Sequence, residues 1–231
     1  MTMYSPRSTF DRHLQRLTDE VLVLGSLVEQ AVLKSVEALS RQDRVSARSL
    51  YHQDQYINER RYAIENECIV LLATQQPMGR DVRYIAGILE IITELERIGD
   101  YAKGISKITL LMDDDGEPEA MEVLQRMANI GLVMLRRALA AFTSSDVAAA
   151  RAIPPDDDAV DRLYNKLHDR MIEVMLNDHA RVNSANYLMW AAHNLERMAD
   201  RVINICERVV YVNTGEMKEL DTPNGLEDLK R

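Results

Sequence analysis

The sequence has few glycines, prolines, cysteines and aromatic residues, and these shortages exclude several classes of fold. Nine glycines and six prolines among 231 residues are about half of the usual share. That is too few for the frequent turns of a β-sandwich or barrel. Aromatic residues make up 5% of the chain and hydrophobic residues 46%, so the core must be mainly aliphatic. With 28% charged residues, this composition is typical of long amphipathic helices.

Thiols, long apolar runs and excess positive charge are also missing. Cys68 and Cys206 are too few and too far apart for a disulfide scaffold or a thiolate zinc site. The longest fully apolar run, residues 68–73, is far shorter than the ~20 residues of a membrane span, and no secretory signal is visible. The net charge of −9 disfavours nucleic acid and anionic lipid as partners. We therefore expect a cytoplasmic protein with no nucleic-acid partner and no direct membrane insertion.

Apolar residues recur at three- and four-residue spacing between the prolines and a few polar breaks. This periodicity predicts six long helical segments and an all-α fold. The segments cover approximately residues 8–39, 44–74, 77–105, 119–142, 147–176 and 180–212. Asp43 and Asp146, which stand in two of the breaks, are residues of the type that caps a helix N-terminus.

The two halves of the chain resemble each other. Residues 43–50 match residues 146–153 at an offset of 103, and a Leu-Glu-Arg frame at Leu95 recurs at Leu195. A tandem duplication of a three-helix unit explains both matches. Pro154 lies where the first copy has Tyr51, so the fifth helix should kink or break there while the second stays continuous.

We predict a tandem pair of antiparallel three-helix bundles related by a pseudo-twofold axis. The predicted bundles are residues 8–112 and 118–213, and residues 214–231 are predicted to form a C-terminal tail. Short connections between the segments favour antiparallel neighbours within each bundle.

The most informative motif is a Glu-x-x-x-Asp pair that occurs in both halves. Glu96 and Asp100 stand beside the apolar stripe of the third segment, and Glu196 and Asp200 repeat the arrangement in the sixth. Side chains at this spacing share one face of a helix, with Cβ atoms about 6 Å apart, so the two carboxylates repel each other. A bound cation reverses the sign of that energy, and carboxylate oxygens suit magnesium, calcium, manganese, iron or zinc.

The preceding helix of each copy offers further ligands. The candidates are Asp54, Asn58 and Glu65 in the first copy and Asp157, Asp161 and His168 in the second. A second interpretation stays open on spacing alone, because solvated salt bridges could neutralise the pairs without a metal. The cations available for these salt bridges are Arg97, Lys103, Arg197 and Arg201.

The sequence contains no phosphate-cradling glycine loop, no nucleophile elbow and no zinc-protease motif. A carboxylate-bridged metalloenzyme would use Glu-x-x-His pairs, whereas His193 precedes Glu196 by three residues and has no duplicate. We therefore expect a protein that is not an enzyme. A carboxylate-bridged metalloenzyme and a purely structural helical scaffold are the alternatives.

Three stretches of the chain resemble the PhoU family of phosphate-transport regulators. They are Gln76-Pro-Met-Gly-Arg-Asp-Val-Arg83, Glu94-Leu-Glu-Arg-Ile-Gly-Asp-Tyr-Ala102 and Asn194-Leu-Glu-Arg-Met-Ala-Asp-Arg-Val-Ile-Asn-Ile-Cys-Glu207. The resemblance covers about residues 8–213. It implies two tandem three-helix bundles with a Glu/Asp-x-x-x-Asp metal motif on the third helix of each.

The same resemblance implies a cytoplasmic, often dimeric protein that negatively regulates the phosphate-starvation response. Such a protein acts as an adaptor between the ATPase subunit of the phosphate ABC transporter and a sensor histidine kinase. The implied metal is iron, zinc, manganese or magnesium. The residues carried over as its ligands are Glu96, Asp100, Glu196 and Asp200.

Overall fold

The computed structural model describes residues 6–113 and 117–220, and within these ranges it contains helices and no strand. Seven α-helices and two short 3₁₀ turns, at Pro154–Asp156 and His179–Arg181, lie in these ranges. The α-helices are α1 (Pro6–Ser40), α2 (Arg44–Gln75), α3 (Arg80–Leu111), α4 (Pro118–Ser144), α5 (Val147–Arg151), α6 (Asp157–Asn177) and α7 (Val182–Thr214).

Side-chain caps begin two of these helices, as predicted. The Asp43 carboxylate accepts hydrogen bonds from the backbone N–H groups of Val45 and Ser46 at the start of α2. The Asp146 carboxylate accepts one from the N–H of Ala149 at the start of α5. These contacts satisfy N–H groups that have no partner within the helix, which is why an acidic residue fixes each boundary.

Helix α3 begins at Arg80, three residues after the predicted start at Pro77. Gln76 ends α2 in the left-handed region with a φ of 46°, and Gly79 has a φ of 57°. Two positive φ values turn the chain sharply between α2 and α3, whereas a helix that started at Pro77 would require helical angles at Gly79.

The proline pair breaks the fifth predicted segment, and α2 remains continuous over 32 residues. Helix α5 ends at Arg151, and α6 begins only at Asp157, after the 3₁₀ turn. Proline lacks the N–H that an α-helix interior needs, so a separate short turn carries the chain past Pro154.

At the C-terminal end, α7 continues through Thr214 and stops at Gly215, which has a φ of 80°. Residues 215–220 follow without regular structure. The remainder of the predicted tail lies outside the described residues. No helix in the described ranges combines the length and the apolar character that a bilayer crossing requires.

Helices α1 to α3 pack together, as do α4 to α7, and the two groups meet mainly through α3 against α7 and α1 against α4. Each of these pairs joins equivalent helices of the duplication, which is what a pseudo-twofold axis produces. The predicted all-α tandem of bundles is therefore confirmed. One cluster of buried apolar side chains extends through both groups, so the division at residues 112 and 118 into separate units stays a prediction.

Gly87 allows α3 to approach α7 closely. A Cβ atom placed on Gly87 would lie 2.3 Å from Cγ2 of Val212, and Val212 is buried. The valine side chain is stiff because it branches at Cβ, so it cannot easily move away from an added methyl group.

We predict that Gly87→Ala costs less stability beside a smaller neighbour than beside Val212. In the Val212→Ala background its cost should fall by about 1–3 kcal/mol, because the added methyl then fills space that the valine leaves. The helix propensity of alanine cancels in this comparison, since both backgrounds share it. Urea unfolding of the four proteins measures the difference, and equal costs in the two backgrounds would contradict the packing described here.

Candidate functional site: two acidic faces

The first acidic face consists of Glu96 and Asp100 on α3 and Asp54 on α2. Asp54 is 4% exposed, whereas Glu96 is half-buried and Asp100 is exposed. Burial raises the pKa of Glu96, and the Asp100 carboxylate raises it further. Half of the Asp100 side chain is exposed, and the loss of hydration on its covered half raises its pKa, with the charge of Asp54 as the second cause. The three carboxylates therefore form a region of unfavourable negative charge.

One lysine partly neutralises this first acidic face. Lys103 Nζ donates a hydrogen bond to Asp54 Oδ2 at 2.7 Å and lies 3.9 Å from Asp100 Oδ1. The Asn58 amide also donates to Asp54 Oδ2, at 3.2 Å. In contrast, Asp54 Oδ1 has no hydrogen-bond partner among the described residues. The neighbouring charges thus leave one buried carboxylate oxygen without a donor and the pKa values of Glu96 and Asp100 raised.

The second acidic face consists of Glu196 and Asp200 on α7 together with Asp161 on α6. Burial, the charge of Asp200 and, more weakly, that of Asp161 raise the pKa of Glu196 to about 7. Arg197 lies 2.7 Å from Asp200, and His193 Nδ1 lies 3.5 Å from Glu196 Oε2. The arginine compensates Asp200 more than Glu196, so it offsets only part of the effect of burial on the pKa of Glu196.

The two faces differ in their cations. Ile203 occupies the position that matches Lys103, and it is buried. Arg97, the counterpart of Arg197, donates to Glu94 at 2.9 Å. The salt-bridge interpretation is therefore realised in part at both faces, by a lysine in the first and by Arg197 in the second. In neither face do these cations cancel the rise in carboxyl pKa.

Five of the six predicted second-helix ligands divide into two groups, and the sixth, Asp157, is buried at the first residue of α6. Asp54 and Asp161 lie near enough to their pairs to raise the carboxyl pKa values. Asn58 hydrogen-bonds to Asp54, Glu65 forms an ion pair with the arginine one turn before it, and His168 lies 3.7 Å from the aspartate that follows it. In the part of the chain that the structure describes, no three His, Cys, Asp or Glu side chains already converge as a metal-binding group.

A polar bridge between α3 and α7 was not predicted from the sequence. Glu94 is 9% exposed, and its carboxylate accepts hydrogen bonds from Arg97, from Asn204 at 3.1 Å and from Arg201 at 3.5 Å. Because Arg201 and Asn204 belong to α7, this bridge connects the two helices that carry the motifs, and it lies two residues from Glu96. The sequence pattern does indicate that Glu94 is buried, because Glu94 falls at helical spacing among the buried isoleucines of α3.

The raised pKa of Glu196 predicts a pH-dependent penalty on stability. Between its ordinary pKa of 4.5 and about 7, the folded state binds the Glu196 proton more tightly than the unfolded state does, so stability falls as pH rises. In chelator at pH 8, Glu196→Gln should be more stable than the wild type by about 1–2 kcal/mol after allowance for solvent screening. Below about pH 4 the difference should vanish, because Glu196 is then protonated in both states.

Urea unfolding at several pH values tests this expectation. The matched control is Glu122→Gln, which changes an exposed glutamate on α4 and should show no comparable pH dependence. A Glu196→Gln difference that stays constant from pH 4 to pH 8 would contradict the assignment.

Comparison with known proteins agrees with this duplicated geometry. The model of the PhoU domain matches the chain twice, over residues 21–109 and 124–209. The phosphate-specific transport system accessory protein PhoU homolog of Streptococcus pneumoniae is 34% identical over 215 residues, which is 93% of this chain and 100% of that protein. The homolog from Clostridium acetobutylicum is 31% identical over 93% of this chain and 99% of its own length.

Solved structures show the same fold. The crystal structure of the phosphate transport system regulatory protein PhoU from Streptococcus pneumoniae superposes with a TM-score of 0.85 at 33% identity, covering 90% of this chain and 99% of that one. PhoU from Pseudomonas aeruginosa gives a TM-score of 0.84 at 30% identity, covering 90% of this chain and 100% of that one. Each of the two family matches contains one Glu-x-x-x-Asp pair. The chain therefore belongs to the PhoU family.

Proposed function

We propose that this protein negatively regulates phosphate uptake and the phosphate-starvation response as a cytoplasmic, non-enzymatic adaptor. Its proposed partners are the ATPase subunit of the phosphate ABC transporter and a sensor histidine kinase, and its proposed assembly is a homodimer. The relatives are named as accessory and regulatory proteins of phosphate transport, which supports a role in regulating phosphate transport. The particular partners and the direction of regulation come from the family resemblance.

The observation that carries the proposal is the pair of incompletely compensated acidic faces on two helices in direct contact. Raised carboxyl pKa values at Glu96, Asp100 and Glu196 mean that each face is costly as long as all its carboxylates are ionised. A cation or a basic partner surface would relieve that cost. Duplicated faces on helices of 32 and 33 residues, each roughly 50 Å long, offer a rigid surface for docking.

We further propose that these faces bind metal ions, with Glu96 and Asp100 as ligands in the first and Glu196 and Asp200 in the second. The donor set is two carboxylates in each motif, and no third ligand already converges with them among the described residues. Magnesium commonly binds through one or two carboxylates and keeps several waters, and carboxylate and water ligands also suit manganese. Zinc and iron, also implied by the resemblance, would need additional ligands. The bound ion would supply positive charge between the carboxylates.

The second acidic face should hold such an ion more tightly than the first. In the first face the Lys103 ammonium already contacts Asp54 and lies near Asp100, so an incoming cation must compete with it. In the second face the matching position is the uncharged Ile203, so an incoming cation competes with Arg197 at Asp200 but with no lysine. Burial and the charge of Asp200 raise the pKa of Glu196 to about 7, so a bound cation would relieve a large cost in this face.

We predict that chelator-treated protein re-equilibrated with Mn²⁺ retains metal through the two faces. Glu196→Gln should remove more of the bound Mn²⁺ than Glu96→Gln, and the double variant should retain none above the background of the Glu122→Gln control. Elemental analysis after gel filtration measures the stoichiometry. Bound metal that is unchanged in the double variant, or a wild type that never retains Mn²⁺, would support a structural scaffold with salt bridges instead.

In cells, we expect the Glu96→Gln, Glu196→Gln double variant to lose restraint of phosphate uptake under phosphate-replete conditions. The variant keeps the size of each side chain and removes one charge from each face, so the helices should remain folded. Uptake of radiolabelled phosphate in a strain that lacks the endogenous protein measures the effect. Uptake at the wild-type rate, with the double variant expressed at the wild-type level, would contradict a regulatory role for the acidic faces.

A further inference from the structure

A cavity of about 450 Å³ lies between α1, α2 and α3. Its lining residues fall within 27–34, 50–57 and 99–106, one range on each helix. In every range they recur at positions i, i+3, i+4 and i+7, with Tyr56 in addition, so each helix turns one side towards the cavity. The volume lies within the range of roughly 300–1,000 Å³ that small-molecule sites occupy.

One wall of the cavity is apolar and carries small side chains. Ala31 on α1 and Ala102 on α3 end at Cβ, and Leu27 and Ile57 complete this wall. Packed helices lie about 8–10 Å apart, and two alanine side chains bridge little of that distance. The wall therefore leaves space for an apolar group of a ligand.

Polar side chains gather at one end of the cavity. A neighbouring surface pocket shares Lys34, Leu50 and Gln53 with it, which places these three residues at the end that opens to the surface. Lys34 and Gln53 are both exposed there. Leu27 lies seven residues before Lys34, about 10 Å along the axis of α1, so the apolar wall extends away from this open end.

The open end carries positive charge that other side chains do not balance. No residue within 6–113 or 117–220 forms an ion pair with Lys34. In contrast, the Lys103 ammonium lies 2.7 Å from Asp54 Oδ2 and balances the carboxylate of the lining. An anionic group at the open end would therefore find a lysine whose charge is not yet used.

The first acidic face lies towards the other end of the cavity. A Cβ atom placed on Gly99 would lie 3.3 Å from Ile57 and 3.9 Å from Val28, and Asp100 follows Gly99 on α3. Val28 is six residues before Lys34, or about 9 Å along α1. Salt screens charges over such a distance, so the acidic face does not prevent an anion from binding beside Lys34.

We propose that this cavity binds a small organic acid, with its apolar body against Leu27, Ala31 and Ile57 and its carboxylate at the open end beside Lys34. The lysine ammonium donates a charge-assisted hydrogen bond to the carboxylate, and the Gln53 amide is a second donor at the same end. The proposal is independent of metal binding, because its residues belong to neither Glu-x-x-x-Asp motif.

Ligand-observed saturation-transfer NMR in chelator and low salt tests the proposal with benzoate, benzamide and acetate. Benzoate and benzamide have nearly the same shape and differ in charge, whereas acetate carries the charge without the ring. We expect benzoate to bind the wild type about fivefold more tightly than benzamide and at least tenfold more tightly than acetate. The chain has a net charge of −9 and repels anions in general, so a preference for benzoate requires a local positive site.

Two pairs of variants locate the binding. Lys34→Met keeps the length of the side chain and removes its charge, so the preference for benzoate over benzamide should disappear while benzamide still binds. The control Lys107→Met changes an exposed lysine of α3 outside the lining and should keep the preference. Ala31→Leu extends a side chain of the apolar wall and should weaken both aromatic probes at least tenfold. Its control, Ala63→Leu, makes the same change at an exposed position on α2.

Both lysines are exposed, so their variants should fold, and they decide the question if Ala31→Leu does not fold. A preference for benzoate that survives Lys34→Met would overturn the proposal, as would equal binding by folded Ala31→Leu and Ala63→Leu. Equal affinity of the wild type for benzoate and benzamide, or for benzoate and acetate, would also overturn it. Absence of binding by all three probes would have the same meaning.

Discussion

Apolar packing holds like-charged carboxylates together in this protein, and that constraint underlies its other features. Helices α3 and α7 form the main contact between the two halves, and close approach at Gly87 and Val212 is part of it. The same helices carry the Glu-x-x-x-Asp pairs next to their buried stripes. Burial beside these stripes raises the pKa of Glu96 and of Glu196, and the neighbouring carboxylate in each pair raises it further, so positive charge would stabilise both faces.

The protein's own side chains supply part of the positive charge beside these carboxylates, and the two faces receive it from different residues. Lys103 bonds to Asp54 in the first face, and Arg197 pairs with Asp200 in the second. Glu94 pairs with Arg97 of its own helix and with Arg201 of α7. The Glu94 bridge mechanically connects the helices that carry the two motifs. A change in charge at one face therefore acts on a helix that is packed and hydrogen-bonded to the other.

Much of the fold follows from local rules that the sequence displays. Spacing of apolar residues predicted the helices, Asp43 and Asp146 identified two helix starts, and the proline pair identified the break before α6. The late start of α3 was not predictable in this way, because it depends on positive φ values at Gln76 and Gly79. The residue pattern predicts turn geometry of this kind only weakly.

The candidate site was predictable only in outline. The spacing of Glu96 and Asp100 shows that they share a face, and the resemblance to the family adds a role for them. The pairing of Lys103 with Asp54 depends on how α2 packs against α3, and the bridge from Glu94 to Asn204 depends on how the two halves meet. Such features arise from contacts between distant segments, which periodicity cannot specify.

We propose that cations occupy the two acidic faces and relieve the repulsion within them. Anomalous scattering from a crystal of this protein grown with Mn²⁺ tests the claim most directly, because it locates the ion without reference to activity. The account predicts a peak between Glu196 and Asp200, with a weaker one at Glu96 and Asp100. Maps in which arginine and lysine side chains alone neutralise these carboxylates, or in which manganese binds only elsewhere, would contradict it.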